Sequence, residues 1–197
     1  HAEACGALLL WTVASAHSND SEMEDVEEVV DRLLCQRADP DTMTDGGWNS
    51  LMFAVMAQKT SLVGRLLEAE ADIDARASAS GRTPLMLACS ASASVQNFGL
   101  VCRLVTAAAS LDFAARIDGR TALLQAVEAG AWSIAEFLLQ ADADMNAPRF
   151  DGKTVLMLAV EANRLDVVKA MVERRAELNL KDHKDSSALS IVLETKR

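Results

Sequence analysis

GRTPLMLA, residues 81–88, is the stretch whose reading decides the fold. Gly81 closes a tight turn. Thr83 is a helix-capping residue, because its hydroxyl accepts from the free N–H groups of a first helical turn. Pro84 falls at the first helical position, where its missing N–H costs nothing. Leu85, Leu87 and Ala88 then begin an apolar face.

The same arrangement recurs along the chain. Asn49, Thr83, Thr121, Thr154 and Ser187 align as capping residues, with spacings of 34, 38, 33 and 33. An apolar residue follows two places after each: Leu51, Leu85, Leu123, Leu156 and Leu189. Ala54, Ala88, Ala126 and Ala159 keep the register, and small residues there let neighbouring helices approach closely. A second apolar pattern ends in the pairs Leu33-Leu34, Leu66-Leu67, Leu104-Val105, Leu138-Leu139 and Met171-Val172. Short, mostly acidic segments come next: RADPDT, EADIDA, ASLDFA, DADMNA and RAELNL. Each unit is thus two short helices and an extended turn. Neither helix can bury its apolar face alone, so stacked units build one continuous core.

These motifs resemble the ankyrin repeat, a unit of about 33 residues marked by T-P-L-H-x-A. GRTPLMLA, GRTALLQAVEAG (119–130) and GKTVLMLAVEAN (152–163) carry the likeness, with EADIDA and DADMNA. It covers essentially the whole chain. The resemblance implies an all-α solenoid of stacked helix pairs with β-hairpin finger loops, and a protein-binding role. On this frame we read one domain, 1–197. A degenerate first repeat (1–44) precedes repeats at 45–77, 78–115, 116–148 and 149–181, and a partial unit ends it at 182–197. Leu8 to Val13 marks the first helix of the degenerate repeat, and Ser15 to Asp25 its inter-helix loop. The third repeat carries a four-residue insertion near Ser92 to Asn97.

The chain departs from the family in two places. Where the family has His, this sequence has Met52, Met86, Leu124, Met157 and Ser190, exchanging an imidazole hydrogen bond mostly for flexible apolar packing. Where the family favours Gly after the second helix, it has Arg37, Glu70, Ala108, Asp142 and Arg175. A left-handed cap at such a residue costs roughly 1 kcal/mol.

Composition agrees with a packed helical protein. Half of the 197 residues are apolar, Tyr is absent, and three Pro and nine Gly are too few for a loop-rich fold. The net charge of −10 argues against nucleic acid as a partner. Cys5, Cys35, Cys89 and Cys102 show no C-x-x-C spacing and read as free thiols of an intracellular, cytoplasmic or organellar, protein. No 18-residue apolar run occurs, so no direct membrane insertion is expected. The chain opens on His1 rather than Met, which we read as processing or excision.

No constellation for catalysis, cofactor or metal stands out. His1, His17 and His183 are scattered, and no phosphate-binding Gly-rich loop occurs. Cys89 falls at an interior repeat position and reads as core. The paired carboxylates Asp72/Asp74 and Asp142/Asp144 recur with the period, as do Asp118-Gly119 and Asp151-Gly152; they read as loop and turn residues rather than acid/base pairs.

The informative set is the finger row and the first-helix positions beside it. The candidates for partner contact are Trp48, Met56, Arg82, Ile117, Arg120, Glu128, Phe150, Lys153, Glu161 and His183, with Arg116, Arg149 and Lys184 near them. Trp and Arg are enriched at binding hot spots, and exposed Phe or Ile can fill pockets. This row is locally basic, whereas Glu22, Glu24, Asp25, Glu27, Glu28 and Asp31 concentrate acid elsewhere. We therefore expect a non-catalytic scaffold whose partner is a protein with an acidic segment. Arg and Lys at finger tips paired with Asp118 and Asp151 are the plainer account of the same residues. Both ends carry uncovered apolar residues, Leu8 to Trp11 and Leu189 to Leu193. They leave two further readings open: a regulatory or targeting segment of a larger protein, and an accessory subunit of a large assembly at an organelle membrane. In either, the ends pack on further chain or a neighbouring subunit.

Overall fold

The computed structural model describes residues 2–15, 23–90 and 95–195. Their helices run α1 Ala2–Ser15, α2 Met23–Cys35, α3 Ser50–Met56, α4 Thr60–Glu68, α5 Pro84–Ser90 and α6 Val95–Thr106. They continue as α7 Ala122–Glu128, α8 Trp132–Gln140, α9 Val155–Glu161, α10 Leu165–Glu173 and α11 Ala188–Thr195. Each odd-numbered helix through α9 packs against the helix that follows it, and α3, α5, α7, α9 and α11 pack in sequence. This is the stack of helix pairs implied by the repeat period.

The odd helices are too short to stand alone, and burial holds them. Leu51, Leu85 and Leu123 are completely buried, and Leu156 nearly so. Burial of each such side chain contributes about 1.5–3 kcal/mol. Met52, Met86, Leu124 and Met157, which replace the family's His, are also buried in the core. Ala54, Ala126 and Ala159 are fully buried and Ala88 almost so, as close helix approach requires. Cys89 is a core residue, and burial pushes its thiol pKa well above the ordinary value.

The helix starts follow the capping pattern with one exception. Asn49 accepts from Met52 N–H at 3.0 Å, Thr83 from Met86 N–H at 3.4 Å, and Thr121 from Leu124 N–H at 3.4 Å. The Ser187 hydroxyl accepts from Ser190 N–H at 3.3 Å. Thr154 has the extended backbone of a cap but makes no capping hydrogen bond through its side chain. The helix ends turn left-handed wherever the alignment places that turn. Arg37, Glu70, Ala108, Asp142 and Arg175 have φ of 61°, 60°, 66°, 64° and 63°.

Two loop boundaries shift. Ser15 belongs to α1, and Met23 to Asp25 are already α2, so only residues 16–22 separate these helices; they lie outside the described residues. Val95 to Asn97 are helical, and α6 has 12 residues where α4, α8 and α10 have nine. Much of the insertion therefore lengthens a helix rather than a loop, and residues 91–94 lie outside the described residues. The fingers also differ from full β-hairpins. Among the described residues the only β-bridge is the isolated pair Lys181–Ser187. Each finger is a tight turn closed by a bond such as Ala77 N–H to Arg82 C=O at 3.0 Å or Ala115 N–H to Arg120 C=O at 2.8 Å.

A side-chain ladder stitches the repeats together. Asp41 Oδ1 accepts from Asp72 N–H at 2.8 Å, and Asp74 Oδ1 from Ser110 N–H at 2.9 Å. Asp112 Oδ1 accepts from Asp144 N–H at 2.8 Å, and Asn146 Oδ1 from Glu177 N–H at 2.9 Å. Thus Asp41, Asp74, Asp112 and Asn146 are structural acceptors, each satisfying a backbone donor of the next repeat, while Asp72 and Asp144 accept from Asp74 N–H and Asn146 N–H within their own loops.

Candidate functional site

Backbone hydrogen bonds join the fingers into one continuous edge. Ser78 N–H donates to Gly46 C=O at 3.0 Å, and Arg116 N–H to Ser80 C=O at 2.8 Å. Phe150 N–H donates to Asp118 C=O, and His183 N–H to Asp151 C=O, both at 2.9 Å. Left-handed glycines permit the close approach: Gly81 and Gly119 have φ of 66° and 73°. A Cβ on Gly119 would stand 2.5 Å from Phe150 Cδ1.

This edge displays some candidate residues and buries or pairs others. Ile117 is 58% exposed and Phe150 60%, on fingers that bond to each other. Met56 is exposed at the end of α3, and His183 at the last finger. Trp48 is not a free aromatic: it is partly buried, with its ring 5.4 Å from that of Phe53.

Three cations of the row, Arg120, Arg149 and Lys153, are neutralised by acids on the row or beside it. Arg120 pairs with Asp118 at 2.5 Å and also with Glu128. Glu128 reaches a second arginine, Arg149 of the next finger, which pairs in turn with Asp151 at 2.5 Å. Lys153 pairs with Glu161 at 2.5 Å. Arg82 lies further off, 4.0 Å from Asp118. The expected excess of positive charge is thus reduced by acids on the first helices beside the row, Glu128 and Glu161. The fold brings cation and acid together, eight residues apart in Arg120–Glu128 and Lys153–Glu161.

The electrostatics follow from these contacts. The Arg149 guanidinium holds the Asp151 carboxyl down to about 2, outweighing its partial burial, and Lys153 N–H adds a further bond. Burial works to raise Asp118, but hydrogen bonds from Arg120 outweigh it and leave that carboxyl below the usual range. Burial would also lower Arg120; bonds to Asp118 and Glu128 prevail and raise it.

Behind this network lies a cleft of about 290 Å³ lined by Arg82, Ser90, Arg120, Gln125, Glu128 and Ala129. Gln125 was not among the sequence candidates. The available signal was its register, because corresponding positions hold Phe53, Leu87, Leu158 and Ile191. Among the described residues no group of His, Cys, Asp or Glu is arranged to hold a metal ion. No helix among them is long and apolar enough to cross a membrane.

The stack of helix pairs finds its counterpart in a known family. A family model for ankyrin repeats, in three copies, matches residues 21–98 and 91–182. No curated protein matches the chain significantly in sequence. Between them the two matched segments take in most of the chain, and the protein belongs to the ankyrin repeat family.

Proposed function

We propose that this protein is a non-catalytic interaction scaffold that receives a protein partner on the surface formed by its finger edge and first helices. Ankyrin repeat domains typically mediate protein–protein interactions. The observation that carries the reading is the pair Ile117 and Phe150. They are the most exposed hydrophobic residues on the finger edge, held outward by fingers bonded backbone to backbone. A rigid apolar display binds with little ordering cost. Met56 extends the apolar contribution, and Arg82, Arg120, Lys153, Glu128, Glu161 and His183 form its polar surround, with Trp48 buttressing the first finger. An acidic segment of the partner is supported by Arg82, held only at 4.0 Å from Asp118, and by the exposed Arg116 and Lys184. Such a segment competes with Glu128 and Asp118 for the arginines, so apolar contact supplies affinity and charge supplies orientation.

The chain is taken as one domain with repeats at 45–77, 78–115, 116–148 and 149–181, flanked by the first unit and the terminal one. The free cysteines Cys5, Cys35, Cys89 and Cys102 support a reducing compartment.

A second reading has its own support. Leu8 and Trp11 on α1 are 53% and 70% exposed, and Leu189 and Leu193 on α11 are 65% and 62% exposed. Apolar faces at both ends of the stack favour a role as one segment or subunit of a larger assembly. Crosslinking mass spectrometry in native extract separates the two readings. Partner links to Lys153 and Lys184 that vanish in the Ile117→Ser/Phe150→Ser variant support the finger surface. Links unchanged in that variant move the interface to the ends or the second helices.

A further inference from the structure

Gln125 is 3% exposed, and neither its Nε2 nor its Oε1 has a hydrogen-bond partner among the described residues. Arg82 Nε, lining the same cleft, is likewise buried without a partner. Leaving a buried polar group unpaired is costly, and leucine at this register in the flanking repeats, Leu87 and Leu158, avoids that cost. The cleft thus retains two unpaired donors and one unpaired acceptor beside a wall that carries both signs of charge.

We propose that this cleft recognises a carboxamide side chain, Asn or Gln, on the protein partner. The proposal rests on the finger-surface reading above and specifies the chemistry of one contact within it. Donor and acceptor matching selects a neutral group that both accepts and donates, and a carboxamide does so through two separate atoms where a hydroxyl has one. A carboxamide oxygen accepts from Gln125 Nε2 and Arg82 Nε, while its NH₂ donates to Gln125 Oε1. A carboxylate satisfies the donors and leaves Oε1 unpaired. An ammonium satisfies Oε1 and leaves both donors unpaired. A neutral group also suits a wall in which Arg120 and Glu128 already neutralise each other. The amide is sealed from solvent beneath this wall, so the entering group moves aside the Glu128 side chain, 22% exposed, and leaves Arg82 Nε in place to donate. Hydrogen bonds made in so dry a place discriminate strongly, because a mismatched group leaves buried atoms unpaired.

The test selects a phage-displayed library of random linear peptides on the full chain and measures the affinity of the synthetic winners. The expected result is convergence on Asn or Gln at one peptide position. Changing that residue to Asp or Leu weakens binding about tenfold or more, the scale of one desolvated hydrogen bond. Gln125→Leu, which restores the residue of the flanking repeats, then binds the Asn and Leu peptides alike, and it melts higher than the parent. Peptides without a preferred Asn or Gln, or peptides bound equally by Gln125→Leu, overturn the carboxamide proposal. The finger-surface reading survives that outcome if Ile117→Ser/Phe150→Ser has lost those peptides. Binding undiminished in that double variant overturns both readings. A selection yielding no binder overturns the carboxamide proposal, as does a lower melting temperature for Gln125→Leu.

Discussion

Ser110 gives both of its donors to Asp74, 36 residues earlier: its N–H to Oδ1 at 2.9 Å and its hydroxyl to Oδ2 at 2.5 Å. The Asp74 carboxylate thereby bridges two consecutive repeats. Asp74→Ala leaves a partly buried N–H and a hydroxyl without their acceptor. We expect it to lower unfolding free energy by about 1–3 kcal/mol, with Asp74→Asn retaining part of the loss. Urea denaturation followed by circular dichroism checks the value. A change within the noise means that the ladder does not contribute to coupling the repeats.

The left-handed caps are a second point of leverage. Glu70 and Asp142 hold φ of 60° and 64° on exposed turns, a conformation that glycine adopts without steric cost. Glu70→Gly and Asp142→Gly should each raise stability by a few tenths to about 1 kcal/mol, the gain in cap geometry exceeding the entropy lost from the unfolded chain. Thermal melts of the single and double variants measure it. Two variants with unchanged or lower Tm would contradict the assigned cap geometry.

At Gly119 the reverse substitution is damaging. Its φ of 73° disfavours a side chain, and a new Cβ would press on the Phe150 ring and on Phe150 N at 2.9 Å. Gly119→Ala should destabilise the protein by about 1–3 kcal/mol and push the two fingers apart. Amide hydrogen exchange at Phe150, whose N–H donates to Asp118, reports the separation directly.

Acid should loosen the finger edge over a defined window. The folded pKa of Asp151 is depressed to about 2 by Arg149, against an ordinary value of about 4 in an unfolded chain. A depressed carboxylate stabilises the fold above the unfolded pKa, and that contribution is lost as pH falls through the folded one. Stability should therefore decline between about pH 4 and pH 2, and Asp151→Asn should flatten part of that decline. The asparagine oxygen still accepts from Lys153 N–H, so the variant isolates charge from turn geometry. Because the Asp151 side chain is 45% exposed, the effect is small and weakens with salt. Denaturation curves at stepped pH, with and without added salt, check its sign; a pH profile identical to the parent's would refute the ion-pair account.

The repeat phase, the helix pairs and the left-handed turns were legible in the chain, even where Gly was missing, because each depends on residues within one short unit. Capping at Asn49 and Thr83 and packing at Leu51 and Leu85 are local or periodic properties, and five aligned copies average out the drift of any single one. Other features needed the tertiary structure. Glu128 meets Arg149 across 21 residues, and Asp74 meets Ser110 across 36. No periodic pattern distinguishes a solvated arginine from one paired across a finger. Thr154 occupies a capping position without making the capping bond, since small changes in side-chain geometry decide a hydrogen bond. Gln125 was visible as a polar residue at an apolar register. That its amide lies buried and unpaired depends on what surrounds it in space. Local chemistry and repetition determined the GRTPLMLA frame, while the three-dimensional juxtaposition of side chains decided which groups on that frame are neutralised and which remain exposed.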